Sequence, residues 1–230
     1  MRQDLILLPG LICDARLFRA QVEALADVAV AFVPHLDAPS VGEMAEAVLG
    51  AVPGTFALAG LSMGGYVAQE IMRRAPDRVT RLALISTTAR PDTAEQSAMR
   101  RDLIELAKSR RYAQVMPRLL PKLISAGRRE DADLKRVVIE MADAVGPEAF
   151  VHQQAAIISR PDGRGDLARI SVPTAVICGD ADELTPKDRH EEMAAAIPNA
   201  KLVVVPGSGH LATLEAPDAL SAALRDWLSV

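Results

Sequence analysis

Cysteine is scarce in this chain: Cys13 and Cys178 are the only two in 230 residues. Two thiols cannot build a disulfide framework, and neither stands in a metal-ligand spacing, so a reducing, cytoplasmic setting and no metal are expected. An excess of positive charge is also missing. Lys and Arg number 26 against 30 Asp and Glu, a net charge of −4, which offers no broad field for nucleic acid or an anionic membrane. The basic pairs Arg100–Arg101, Arg110–Arg111 and Arg128–Arg129 form no continuous stripe and read as solvated helix faces. Long apolar runs are absent too. The stretch MRQDLILLPGLICD is broken at Pro9–Gly10 after five apolar-rich residues, too short for a signal-peptide core or a membrane span. What remains is expected to be a soluble, unexported chain, half hydrophobic, which suits one compact domain with an insertion.

Four short apolar runs at 4–8, 28–33, 55–60 and 81–86 alternate with amphipathic segments at 16–26, 41–52 and 65–74. Nearly continuous apolar character fits strands covered on both faces, and the alternation predicts an α/β fold with a parallel sheet and right-handed crossovers. From 91 to 170 the strand signal disappears. Apolar residues there recur at helical spacing, as in Val115, Leu119, Leu120 and Leu123, and breakers such as Gly146–Pro147 divide the stretch into about four helices. It reads as a lid inserted into a core made of 1–90 and 171–230. Strands resume at 173–179 and 200–207. A helix is expected with Thr185 as N-cap and Pro186 at its first position, and a final one over 216–228.

One serine has unusual surroundings. Ser62 lies in GLSMGG, between a strand-like run and a helix-like one. So sharp a strand-to-helix turn strains its central residue, and Gly60 and Gly64 remove side chains that would clash in it. The hydroxyl is then held at the carboxyl end of the sheet, where α/β folds place ligands. Beneath it a helix N-terminus offers N–H groups to a developing oxyanion. A serine needs a base. Among the four histidines, His35, His152 and His190 read as structural or exposed, whereas His210 lies in the loop GSGHLATLEAPDAL after the last strand and can swing over the serine. The base in turn needs a carboxylate, and the loop GDADELTP offers Asp180, Asp182 and Glu183.

Serine, acid loop and histidine in this order, each after an expected strand, resemble the α/β-hydrolase family. LLPGLICDARLF resembles the family's oxyanion segment, GLSMGG its nucleophile elbow, GDADELTP its acid loop and GSGHLATLEAPDAL its histidine loop with the final helix. The resemblance spans the whole chain. It implies the α/β-hydrolase fold: a mostly parallel central sheet flanked by helices, with an inserted helical cap at 91–170. The family's aspartate lies three residues after a glycine and four before a proline. Gly179, Asp182 and Pro186 match that pattern, which implies Asp182 as the acid. The resemblance also implies the backbone N–H groups of Leu11 and Met63 as oxyanion donors. One departure is Pro9–Gly10 where the family often has His-Gly; that histidine buttresses the loop and moves no proton.

The implied activity is hydrolysis of a small or medium carboxylic ester or lactone, with Ser62 as nucleophile, His210 as base and Asp182 behind it. It needs no cofactor, and its partner is a small-molecule substrate rather than nucleic acid or membrane. The alternatives are perhydrolysis or carbon–carbon cleavage on the same three residues, or a ligand-binding receptor on a hydrolase scaffold. Met99, Met116 and Met141 either line an adaptable apolar pocket or pack the inserted helices.

Overall fold

The computed structural model describes residues 2–229. Its centre is an all-parallel sheet of six strands: β1 (Gln3–Leu8), β2 (Ala29–Phe32), β3 (Phe56–Leu61), β4 (Val79–Ile85), β5 (Thr174–Gly179) and β6 (Lys201–Val205). Their order is β2-β1-β3-β4-β5-β6, with Leu5 beside Ala57 and Ile6 beside Leu58 in the β1–β3 register. Parallel neighbours require crossovers. These are supplied by α1 (Arg19–Ala24), α2 (Val41–Ala51), α3 (Met63–Arg74) and, between β5 and β6, α7 (Lys187–Ala196). The longest crossover, from β4 to β5, holds α4 (Ala94–Leu106), α5 (Val115–Leu123) and α6 (Ala132–Ser159). A short α8 (Ala212–Glu215) and α9 (Pro217–Ser229) close the chain.

Successive strand residues face opposite sides of a sheet, and the core divides accordingly. Leu5, Leu7, Ala57 and Ala59 join one apolar cluster with Leu224 and Trp227 of α9. Ile6, Leu8, Phe56 and Leu58 join the other with Met44 of α2 and Val67 and Ile71 of α3. The helices of this crossover share these cores. Leu103, Met116, Met141 and Phe150 belong to the first cluster, and Ala156 and Ile157 to the second.

Several local expectations change. The first crossover is a 3₁₀ turn over Ala15–Phe18, capped by the Asp14 side chain, before the short α1. The helix α6 runs on to Ser159 but breaks at Gly146, whose φ of 78° departs from the helix just before Pro147, so the expected count of about four helical stretches stands. Thr185 is not the cap of α7. Pro186 occupies that position and its ring has no group with which to cap, while the Thr185 hydroxyl is committed to Asp182 at 2.7 Å. No described helix is long and apolar enough to cross a membrane.

Candidate active site

Ser62 is the single residue between β3 and α3, with φ 55° and ψ −114°. Such a backbone costs a non-glycine residue roughly 1–3 kcal/mol and persists only where the surroundings hold it. They do so here. Ser62 N–H donates to the Ile85 carbonyl at 2.9 Å, and the Thr87 hydroxyl donates to the Ser62 carbonyl at 2.9 Å. A Cβ on Gly60 would sit 2.3 Å from the Gly64 carbonyl oxygen, and one on Gly64 would sit 2.1 Å from that of Leu8. Both glycines are therefore required by the close approach of backbone.

His210 is carried by the loop between β6 and α8. Its Nε2 lies 2.9 Å from Ser62 Oγ, and its Nδ1 lies 2.9 Å from Asp182 Oδ2 and 3.1 Å from Oδ1. Asp182, on the loop after β5, is buried with 4 % of its surface exposed. Burial opposes its charge, but His210 and the donors around it prevail and hold the carboxyl down to about 2. Those donors are the N–H groups of Leu184 and Thr185, both at 2.9 Å, and the Thr185 hydroxyl. A carboxylate so fixed orients the imidazole with Nδ1 protonated and Nε2 free to accept from the serine.

The rival acids are occupied elsewhere. Asp180 accepts the Gly207 N–H at 2.7 Å, tying the two loops together, and Glu183 pairs with Arg129 at 3.0 Å. The other histidines lie apart from the serine hydroxyl. His35 is exposed, and His152 bonds Asp37 at 2.8 Å. His190 is fully buried and takes the Thr87 N–H on Nε2 at 3.0 Å. Burial lowers its pKa to about 4, so it braces the segment behind Ser62 as a neutral ring.

Two supporting residues escaped the sequence reading. Glu215 is buried and accepts the Gly209 N–H at 3.0 Å and the Ser125 N–H at 2.9 Å, which locks the His210 loop to the end of α5. Gln153 of α6 accepts the Ile12 N–H at 2.9 Å and donates to the Leu36 carbonyl at 2.8 Å. It thereby holds the loop at Leu11, where Ile12 has a φ of 55°. Amphipathic periodicity marks such residues only as buried polar exceptions, without naming their partners.

Ser62 and His210 open into a cavity of about 500 Å³, bounded by the Gly10–Cys13 loop, α4, α5 and the acid loop. That is ample room for a small-molecule ligand. Met63 opens α3, so its N–H has no intrahelical acceptor, and among the described residues the Leu11 N–H donates to no backbone acceptor. Met99 lines the cavity, whereas Met116 and Met141 are buried in the core. Cys13 also lines it, but burial and the neighbouring Asp14 push its thiol up to about 12, far from a reactive thiolate.

Comparison with known proteins places the chain. Residues 6–223 match a family model described as the alpha/beta hydrolase family. The pimeloyl-[acyl-carrier protein] methyl ester esterase of Nitrosomonas europaea is 29 % identical over 191 residues, covering 78 % of this chain and 73 % of that protein. A thermophilic esterase from Thermogutta terrifontis superposes with a TM-score of 0.93 at 30 % identity, over 99 % of this chain and 89 % of that one. The enol-lactonase from Burkholderia xenovorans LB400 shares the fold, with a TM-score of 0.91 at 23 % identity over 100 % and 92 % of the two chains. With its parallel sheet and its serine in a left-handed turn between β3 and α3, the protein belongs to the alpha/beta hydrolase family.

Proposed function

We propose that the protein hydrolyses a carboxylic ester through an acyl-enzyme on Ser62. The observation that carries this is the continuous chain of hydrogen bonds from Ser62 Oγ through His210 to buried Asp182, at the floor of a ligand-sized cavity. Ester hydrolysis, rather than another reaction on the same residues, is favoured by the two esterases among the similar proteins.

The steps follow from this geometry. Ser62 Oγ attacks the ester carbonyl as its proton passes to His210 Nε2, and Asp182 stabilises the resulting imidazolium. The N–H groups of Leu11 and Met63 receive the oxyanion, a contribution of about 3 kcal/mol per donor in such sites. Collapse of the tetrahedral intermediate expels the alcohol, which takes the proton from His210. Water then gives a proton to His210 and attacks the acyl-enzyme, releasing the acid and restoring Ser62. In this reading α4–α6 form a lid that sets the shape of the acyl pocket.

Turnover of p-nitrophenyl acetate tests the reading. The wild type is expected to be active and Ser62→Ala to fall by about 10³-fold or more in kcat. Equal activity of the two proteins would defeat it.

A further inference from the structure

The cavity wall carries charge of the opposite sign to the molecule. The chain has a net charge of −4, yet six lining residues are Arg or Lys and three are Asp or Glu. Part of this excess is built into the scaffold. Arg100 and Arg160 share a single carboxylate, Asp92, at 2.6 and 2.8 Å, and the Asp92 side chain is 2 % exposed. Arg160 also donates to the Arg90 and Ile157 carbonyls and stacks 4.2 Å over the Tyr66 ring. Each of its three guanidinium nitrogens already has an acceptor within the protein, so it supplies chiefly a fixed surplus of positive charge.

Arg118 and Lys122 differ. They stand one turn apart on α5, beside Leu119 and Leu123, and all four line the cavity. Both basic residues are exposed, and no side-chain hydrogen bond or ion pair to another described residue engages either. Elsewhere around the cavity the guanidinium groups have carboxylates: Arg90 pairs with Glu192 at 2.8 Å and Arg100 with Asp92. Two like charges four residues apart weaken a helix, and a concave wall of low dielectric focuses their field into the cavity.

We propose that the substrate bears a carboxylate besides its scissile ester, and that Arg118 and Lys122 bind that carboxylate while the ester carbonyl lies at Ser62. Leu119 and Leu123 contact the aliphatic chain between the two ends. The proposal rests on the ester-hydrolase reading, and a probe pair separates the two.

Monomethyl and dimethyl glutarate differ by this one charge. Per ester group, the wild type is expected to show a kcat/KM at least about tenfold higher for the monoester, a preference worth about 1.4 kcal/mol. The ratio is expected to drop toward one in the double variant Arg118→Gln, Lys122→Gln, and to shrink in the wild type as salt is raised. Calorimetric titration of both esters into Ser62→Ala reads the same preference without turnover. Hydrolysis of both esters without preference, or a preference unchanged in the double variant, overturns the carboxylate site and leaves the ester reading standing. Preferential binding of the monoester by Ser62→Ala, with neither methyl ester nor p-nitrophenyl acetate hydrolysed by the wild type, supports the carboxylate site and removes the ester reading. Equal or absent binding of both overturns the site.

Discussion

Asp182 and Asp180 stand two residues apart on one loop, and their surroundings give them different work. Asp182 is enclosed by the Leu184 and Thr185 N–H groups, the Thr185 hydroxyl and His210. Asp180 holds the Gly207 N–H from a more exposed position. An amide at 182 would keep the shape but could donate toward His210 Nδ1, favouring the wrong tautomer. Asp182→Asn is therefore expected to lose about 10³–10⁴-fold in kcat. In Asp180→Asn the amide oxygen still accepts from Gly207, and kcat should stay within about tenfold of wild type. Steady-state ester hydrolysis by both variants checks this, and a larger loss at 180 would reverse the assignment.

At the scale of elements, the helices between β4 and β5 reach the proposed oxyanion loop through Gln153. Its side chain bridges α6 to the Ile12 N–H and the Leu36 carbonyl, so the loop bearing Leu11 is held by a side chain 141 residues away in sequence. Gln153→Ala leaves the buried Ile12 N–H unpaired, at a cost of about 1–3 kcal/mol. It also frees the loop, and a misplacement near 1 Å can cost about 10²-fold. The expected result is a kcat reduced by about ten- to a hundredfold at a temperature where the variant remains folded, with KM changed much less. A kcat equal to wild type would show that α6 does not position the loop.

The sequence made the strands and the glycine-flanked serine legible because both depend on local pattern: apolar runs for a doubly covered sheet, and Gly60 and Gly64 for a turn whose backbone nearly touches itself. The bonding partners of Gln153, Glu215 and His190 were not legible. Each acts by bonding a backbone group far along the chain, and nothing in local periodicity specifies that partner. Thr185 shows the same limit, since cap chemistry and service to Asp182 use the same hydroxyl.

For the whole molecule, two buried groups contribute to acid sensitivity. Burial lowers the His190 pKa from 6.5 to about 4, so the folded state resists a proton that the unfolded chain accepts. Its contribution is complete above pH 6.5 and is lost as pH falls toward 4, about 3 kcal/mol in all. Asp182, held at about 2 against an ordinary 3.8, adds stability that is present above 3.8 and lost as pH falls toward 2. Melting temperature is expected to decline from pH 6.5 downward, and His190→Gln should start lower at neutral pH and decline less between 6.5 and 4. Parallel slopes for the two proteins would exclude His190 as the cause.

The intact folded chain contains many hydroxyl groups and two buried thiols, but the proposed hydrogen-bonded chain activates one atom, Ser62 Oγ. Reaction with a fluorophosphonate, followed by intact mass and peptide mapping, tests this most directly. A single adduct is expected, on Ser62, abolished in Ser62→Ala and strongly slowed in His210→Ala; an adduct on another residue, or none in an ester-hydrolysing protein, would contradict Ser62 as the nucleophile.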